Sequence, residues 1–281
     1  MTKLTEISRY YQLNYYLTGR INKPVILLLH GFMGSSNDFV DFIPQLCEYF
    51  CCLIVDLPGH GKTIVNGSDE YYDMENTAIA LIHLLDELKI DKCYLFGYSM
   101  GGRLALYMAI NFPTRFNKLI LESASPGLKT EMERSLRRQS DLKLADKLEN
   151  SNFQEFLSNW YNQALFKSLR QNNSFEKVIE RRLENNPLEL ARSLRNLGTG
   201  NQPSLWDKLS NYQIPTLLMV GEFDDKFQVI NLKIAELCQV ANLKIIPESG
   251  HNIHWENPQK WIETLRIFFL EGRNNKYIKQ S

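Results

Sequence analysis

The sequence predicts an α/β protein: a mostly parallel central sheet with helices on both faces and an all-helical segment inserted along the way. Three observations lead there. Short apolar strand candidates alternate with helical stretches from residue 11 to about residue 121, the pattern of parallel strands joined by crossover helices. The alternation then stops from residue 130 to about 196, where Glu, Lys, Arg, Leu and Gln recur at helical spacing with no strand candidate of any length. Between one strand and the next helix, Gly97-Tyr98-Ser99-Met100-Gly101 sets a serine between two glycines on a sharp turn.

Taken in order, a buried strand over 24–29 runs into His30-Gly31-Phe32-Met33-Gly34. A second, over 52–55, runs into Asp56-Leu57-Pro58-Gly59-His60-Gly61, which reads as a rigid turn. A helical pattern over 71–88 precedes the strand 93–96. The helix after Ser99 closes at Pro113, and 118–122 is the next strand. Breaks near Asn150-Ser151-Asn152, Gln171-Asn172-Asn173-Ser174 and Asn185-Asn186-Pro187 divide the helical segment into four helices, one running unbroken over 153–166. Strands over 214–220 and 243–246 follow. The expected division is a core over 1–125, a helical cap over 126–206 and the rest of the core over 207–281.

Chemistry enters at Ser99. Glycines two before and two after it carry no Cβ, so strand and helix can pass closely and the hydroxyl is pushed out at the carboxyl edge of the sheet. Such a serine needs an acid and then a histidine, in that order along the chain. Asp224, just past the strand 214–220, is the favoured acid, with Asp225 and Glu222 as rivals. His251, exposed by a Ser-Gly-His turn past the last strand, is the favoured base, with His254 as its rival. The loop after the strand 24–29 offers backbone N–H groups beside the serine, and the N–H of Met100 supplies the other half of an oxyanion hole. His30 is expected to hold that loop rather than react.

Composition narrows the partners. The net charge is zero and 44% of the residues are apolar, which gives no electrostatic case for nucleic acid or an anionic membrane. Five cysteines, with no Cys-x-x-Cys pair, read as buried free thiols in a reducing compartment. No apolar signal core opens the sequence and no apolar run approaches a membrane span. The expectation is a soluble cytoplasmic protein, monomeric, without metal or cofactor, whose polar tail over 272–281 frays. The helical segment carries Arg134, Arg137, Arg138, Arg170, Arg181, Arg182, Arg192 and Arg195, and Arg103 follows the serine by one helical turn. Guanidinium forks suit carboxylates, so arginines turned inward would select a polycarboxylate. Trp160 could pack within the cap or line its pocket.

These pieces together resemble the α/β-hydrolase family over the whole chain apart from the inserted cap. Within that family, several strings are similar to its pyruvate-eliminating lyases of menaquinone and phylloquinone biosynthesis. They are Gly97-Tyr98-Ser99-Met100-Gly101-Gly102-Arg103, Glu122-Ser123-Ala124-Ser125-Pro126-Gly127, Arg137-Arg138-Gln139-Ser140-Asp141, Asn159-Trp160-Tyr161, Asn196-Leu197-Gly198-Thr199-Gly200-Asn201 and Gly221-Glu222-Phe223-Asp224-Asp225-Lys226. The resemblance implies an α/β-hydrolase fold and a reaction in which a ring proton leaves a cyclohexene tricarboxylate and pyruvate is expelled, with no acyl-enzyme. It implies Ser99 as base, His251 as proton acceptor, Asp224 as its orienter, and the N–H groups of Phe32 and Met100 as the oxyanion hole. It implies Arg103, Arg137 and Arg182 as carboxylate clamps, with Arg181 the alternative to Arg182, and Tyr98 and Trp160 as pocket walls. A hydrolase of esters or carbon–carbon bonds with the same triad is the first rival, and a non-catalytic binder of a small acid the second.

Overall fold

The computed structural model describes residues 3–271, so the tail 272–281 lies outside the described residues. Nine strands form one sheet: β1 (Lys3–Ser8), β2 (Tyr11–Thr18), β3 (Val25–Leu29), β4 (Cys51–Val55), β5 (Ile64–Val65), β6 (Cys93–Tyr98), β7 (Phe116–Glu122), β8 (Thr216–Gly221) and β9 (Ala241–Ile246). Their spatial order is β1-β2-β4-β3-β6-β7-β8-β9, with β5 beside β2. From β4 to β9 every pairing is parallel, whereas β1, β2 and β5 form an antiparallel edge.

The helices explain the strand composition. Those outside the inserted segment are α1 (Ile43–Leu46), α2 (Met74–Glu87), α3 (Met100–Asn111), α9 (Asp225–Leu237), α10 (Ile253–Glu256) and α11 (Pro258–Leu270). Alternate residues of β3, β4 and β6 serve opposite faces. Leu27, Leu53 and Leu95 join α2 and α3 in one core, while Leu28, Ile54 and Phe96 join α1 and α11 in the other. A strand buried on both faces therefore reads as an unbroken apolar run.

Between β7 and β8 lie α4 (Glu131–Asn150), α5 (Phe153–Tyr161), α6 (Lys167–Gln171), α7 (Phe175–Leu183) and α8 (Pro187–Leu197). There are five helices where four were expected, because the stretch over 153–166 is not one helix. It breaks at Gln163, whose backbone is extended at ψ 150°, and restarts after a 3₁₀ turn. The break is tertiary in origin: Phe166 has to turn inward, where its ring lies 4.9 Å from Tyr161 and 5.9 Å from His251. The segment has a small core of its own, with Leu148, Phe156, Leu157, Val178 and Leu190 around Met33 and Trp255 from the main body. Its two ends are pinned together, Leu205 N–H donating to Pro126 O at 2.8 Å and Trp206 Nε1–H to Gly127 O at 2.8 Å. Among the described residues no helix is long and apolar enough to cross a membrane.

The strand order has one consequence for function. The chain runs from β3 outward to β4, then crosses back to β6 on the other side of β3. The loops leaving β3 and β6 therefore diverge at neighbouring strand ends, which is where α/β sheets open a crevice.

Candidate active site

Ser99 stands in that crevice. β6 ends at Tyr98 and α3 begins at Met100, and the serine between them is held at φ 49°, ψ −107°. Such a backbone is costly for a side chain with a Cβ and persists only where its surroundings over-determine it. The flanking glycines do that. A Cβ on Gly97 would come within 2.4 Å of Gly101 O, and one on Gly101 within 2.4 Å of His30 O. Only glycine lets the three backbones meet.

The structure brings Asp224 and His251 to this serine. His251 Nε2 lies 3.2 Å from Ser99 Oγ, and Nδ1 lies 2.7 Å from Asp224 Oδ2. Both partners are buried. Asp224 is the N-cap of α9, and its other oxygen accepts from Phe227 N–H at 3.4 Å. Of the rivals, His254 is fully buried behind Tyr98, its Nδ1 2.7 Å from Glu122. Glu222 accepts from Glu248 N–H at 2.9 Å, and Asp225 is exposed.

Sequence reasoning missed one supporting residue. Glu256 holds the loop on both sides of His251, accepting from Gly250 N–H at 3.0 Å and Asn252 N–H at 3.1 Å. Burial raises its carboxyl above the usual range, against a hydrogen bond from the Ser168 hydroxyl of α6. The one signal in the sequence was an acid five residues after the candidate base.

His30 shows how the loop after β3 is fixed. Leu57 N–H donates to its Nε2 at 3.0 Å, so Nδ1 carries the proton and donates to Gly31 O at 2.8 Å. Burial keeps the ring neutral by lowering its basicity. Asp56 makes the neighbouring turn rigid, accepting from Ser36 N–H at 2.6 Å, Asn14 Nδ2 at 2.6 Å and Lys62 N–H at 2.8 Å. Phe32 and Met100 line, together with Ser99, a cavity of about 440 Å³. Met100 opens α3, whose N-terminus favours developing negative charge.

Tyr98, Arg103, Arg137, Trp160 and Arg182 all border the same cavity. The Tyr98 ring lies 5.5 Å from that of His251, and burial, with Glu122 nearby, pushes its hydroxyl well above the tyrosine range. Trp160 packs on Phe32 at 5.5 Å and on Phe156 at 6.1 Å, so it serves the cap core and the pocket wall together. Arg103 is buried and donates to Gln202 Oε1 and Leu197 O, both at 3.0 Å and both neutral. Burial, and then Arg137, pulls its guanidinium down to about 10. Arg137 is half-exposed and bonds Asp141 at 2.7 Å.

Arg182 is differently placed. Its Nη1 lies 2.5 Å from Asp38 and its Nε donates to Tyr161 Oη at 3.0 Å, with 2% of its surface exposed. Burial works against its charge, but Asp38 and Tyr161 outweigh that and hold the guanidinium above its ordinary range. Arg181 pairs with Asp41 at 2.7 Å. Both arginines tie the cap to the loop after β3. The other cap arginines bond acids or carbonyls of the surface: Arg134 and Arg138 to Glu131, Arg170 to Asn162, Arg192 to Asp69 and Arg195 to Asp146.

A hydroxyl hydrogen-bonded to an imidazole, which is itself oriented by a carboxylate, can act as a base or as a nucleophile. Known proteins narrow that choice of family. The model of the alpha/beta hydrolase fold matches residues 24–258. A Bacillus subtilis (strain 168) protein, provisionally named 2-succinyl-6-hydroxy-2,4-cyclohexadiene-1-carboxylate synthase, is 37% identical over 236 residues, covering 83% of this chain and 86% of its own. The synthase of that name from Enterobacter sp. (strain 638) is 34% identical over 243 residues, covering 85% and 89%. The solved structure of MenH from S. aureus matches with a TM-score of 0.86 at 34% identity, covering 94% of this chain and 98% of that one. The chain belongs to the α/β-hydrolase family and, within it, to the 2-succinyl-6-hydroxy-2,4-cyclohexadiene-1-carboxylate synthases.

Proposed function

We propose that this protein eliminates pyruvate from 2-succinyl-5-enolpyruvyl-6-hydroxy-3-cyclohexene-1-carboxylate to give 2-succinyl-6-hydroxy-2,4-cyclohexadiene-1-carboxylate, a step of menaquinone or phylloquinone biosynthesis. The observation that carries the reading is the Ser99–His251–Asp224 relay opening into a capped cavity with Arg103 and Arg137 in its wall. Ser99 Oγ removes a ring proton and passes its own to His251 Nε2, while Asp224 holds Nδ1–H and steadies the imidazolium. The electron pair from the broken C–H bond moves into a dienolate, whose oxygen meets the N–H groups of Phe32 and Met100. The C–O bond to the enolpyruvyl group then breaks, and the leaving group takes up a proton to become pyruvate. Arg103 and Arg137 hold carboxylates, and Tyr98 and Trp160 confine the ring.

Pyruvate release by the purified protein, followed with lactate dehydrogenase and NADH, tests the reaction. Stopping turnover and weighing the intact protein tests the role of Ser99, and no covalent adduct is expected. Ester turnover above pyruvate release, or an acyl group on Ser99, would return the protein to the hydrolases.

A further inference from the structure

The proposed substrate carries three carboxylates, and of the three expected arginines only Arg103 has no acid partner, while half-exposed Arg137 shares its charge with Asp141. Arg182 is already neutralised by Asp38. Three lysines also stand in the wall: Lys129 lies 4.4 Å over the ring of Trp206, Lys233 is two turns farther along α9, and Lys226 is the one nearest in the chain to Asp224. Lys226, in the first turn of α9 and two residues after Asp224, lines the cavity with Arg103 and Arg137. Among the described residues neither Arg103 nor Lys226 has an acid within ion-pair distance. The one carboxylate in the wall, Glu133, is engaged in the capping box of α4.

Most local forces disfavour a cation at Lys226, against its contact with the Phe227 ring at 5.4 Å. The N-terminus of a helix carries positive partial charge. Partial burial, and then Arg137, lowers the lysine's basicity, with only Asp224 acting the other way, and Asp224 is committed to His251. Arg103 also lies in the first turn of its helix, as the fourth residue of α3. Folding alone gives no reason to gather unpaired cations at two helix N-termini around one cavity, whereas a bound polyanion would neutralise them.

We propose that Lys226 is the third carboxylate-binding cation of the substrate site, in the place the sequence suggested for Arg182. The proposal rests on the lyase reading for its substrate, but it needs only a tricarboxylate for its test. A lysine binds as a point charge with rotatable donors, so it can follow a carboxylate that moves as the reaction proceeds.

The experiment pairs kinetics with binding in Lys226→Gln and Lys226→Arg. Lys226→Gln is expected to lose roughly tenfold in kcat/KM, mainly through KM, and Lys226→Arg to recover most of it. Calorimetric titration with tricarballylate should show a parallel loss of affinity in Lys226→Gln. The melting temperature of Lys226→Gln should not fall, because a repelled cation has been removed. Unchanged kinetics and binding, a loss that merely follows a lower melting temperature, or a wild type that does not bind tricarballylate would each overturn the proposal. If the wild type released no pyruvate, the lyase reading would fall. The tricarballylate titration would then decide on Lys226 by itself.

Discussion

At Ser99 a backbone that most side chains avoid is kept because three chain segments leave it no alternative. The consequence is a hydroxyl whose partners are fixed before substrate arrives. Ser99→Ala and His251→Ala are each expected to lower kcat by several orders of magnitude, and the double variant to lose little more, since residues acting as a unit are not additive. Pyruvate release by the three proteins checks this, and a Ser99→Ala enzyme retaining about a tenth of the activity would break the unit. The order Ser99, Asp224, His251 was legible in the chain because each residue follows a strand end. The choice between His251 and His254 was less so. What removes His254 is Glu122, 132 residues away in sequence and directly beneath it in the fold.

The helix that carries Arg137 shows the same division at the scale of an element. Thr130 caps α4 by accepting from Glu133 N–H, and Glu133 returns the bond to Thr130 N–H at 2.8 Å. Ser/Thr-x-x-Glu is a local start signal that needs no tertiary help. Thr130→Ala is expected to lower stability by about 1 kcal/mol while leaving kcat unchanged. Urea unfolding beside turnover checks it, and unchanged stability would show that α4 is held by its packing on α8 alone. The α5–α6 break was not legible, because nothing near Gln163 forbids a helix. The turn exists to seat Phe166 against Tyr161 and His251.

Across the whole molecule, the cap is fastened to the sheet by charge as well as by apolar contact. Arg182 to Asp38, Arg181 to Asp41 and Arg192 to Asp69 all cross from cap to core. The exposed pair of Arg192 is worth little. The Arg182 pair is buried at both ends, and removing one partner should cost about 3–5 kcal/mol. Arg182→Ala and Asp38→Asn should therefore lower the melting temperature and lose activity in step. Arg182→Met with Asp38→Leu should recover much of the stability, because an apolar pair leaves no charge stranded. Arg182→Ala with normal melting and a raised KM would instead make it a carboxylate clamp.

The sequence by itself determined the alternation of strand and helix, the inserted helical segment and the turn that exposes Ser99. Each of these is written in neighbouring residues: apolar runs of strand length, helical spacing, and glycines at fixed offsets. Only the tertiary structure decided which charges are free. Arg103, Arg137 and Arg182 look alike along the chain, yet Asp38 comes from 144 residues away to neutralise Arg182, while Gln202 and Leu197 offer Arg103 only neutral oxygens. Lys226 carries one local signal, a lysine in the first turn of a helix, but its sequence neighbours do not show that it faces the cavity. An unpaired charge depends on what is absent from around it in three dimensions, and no local pattern records that.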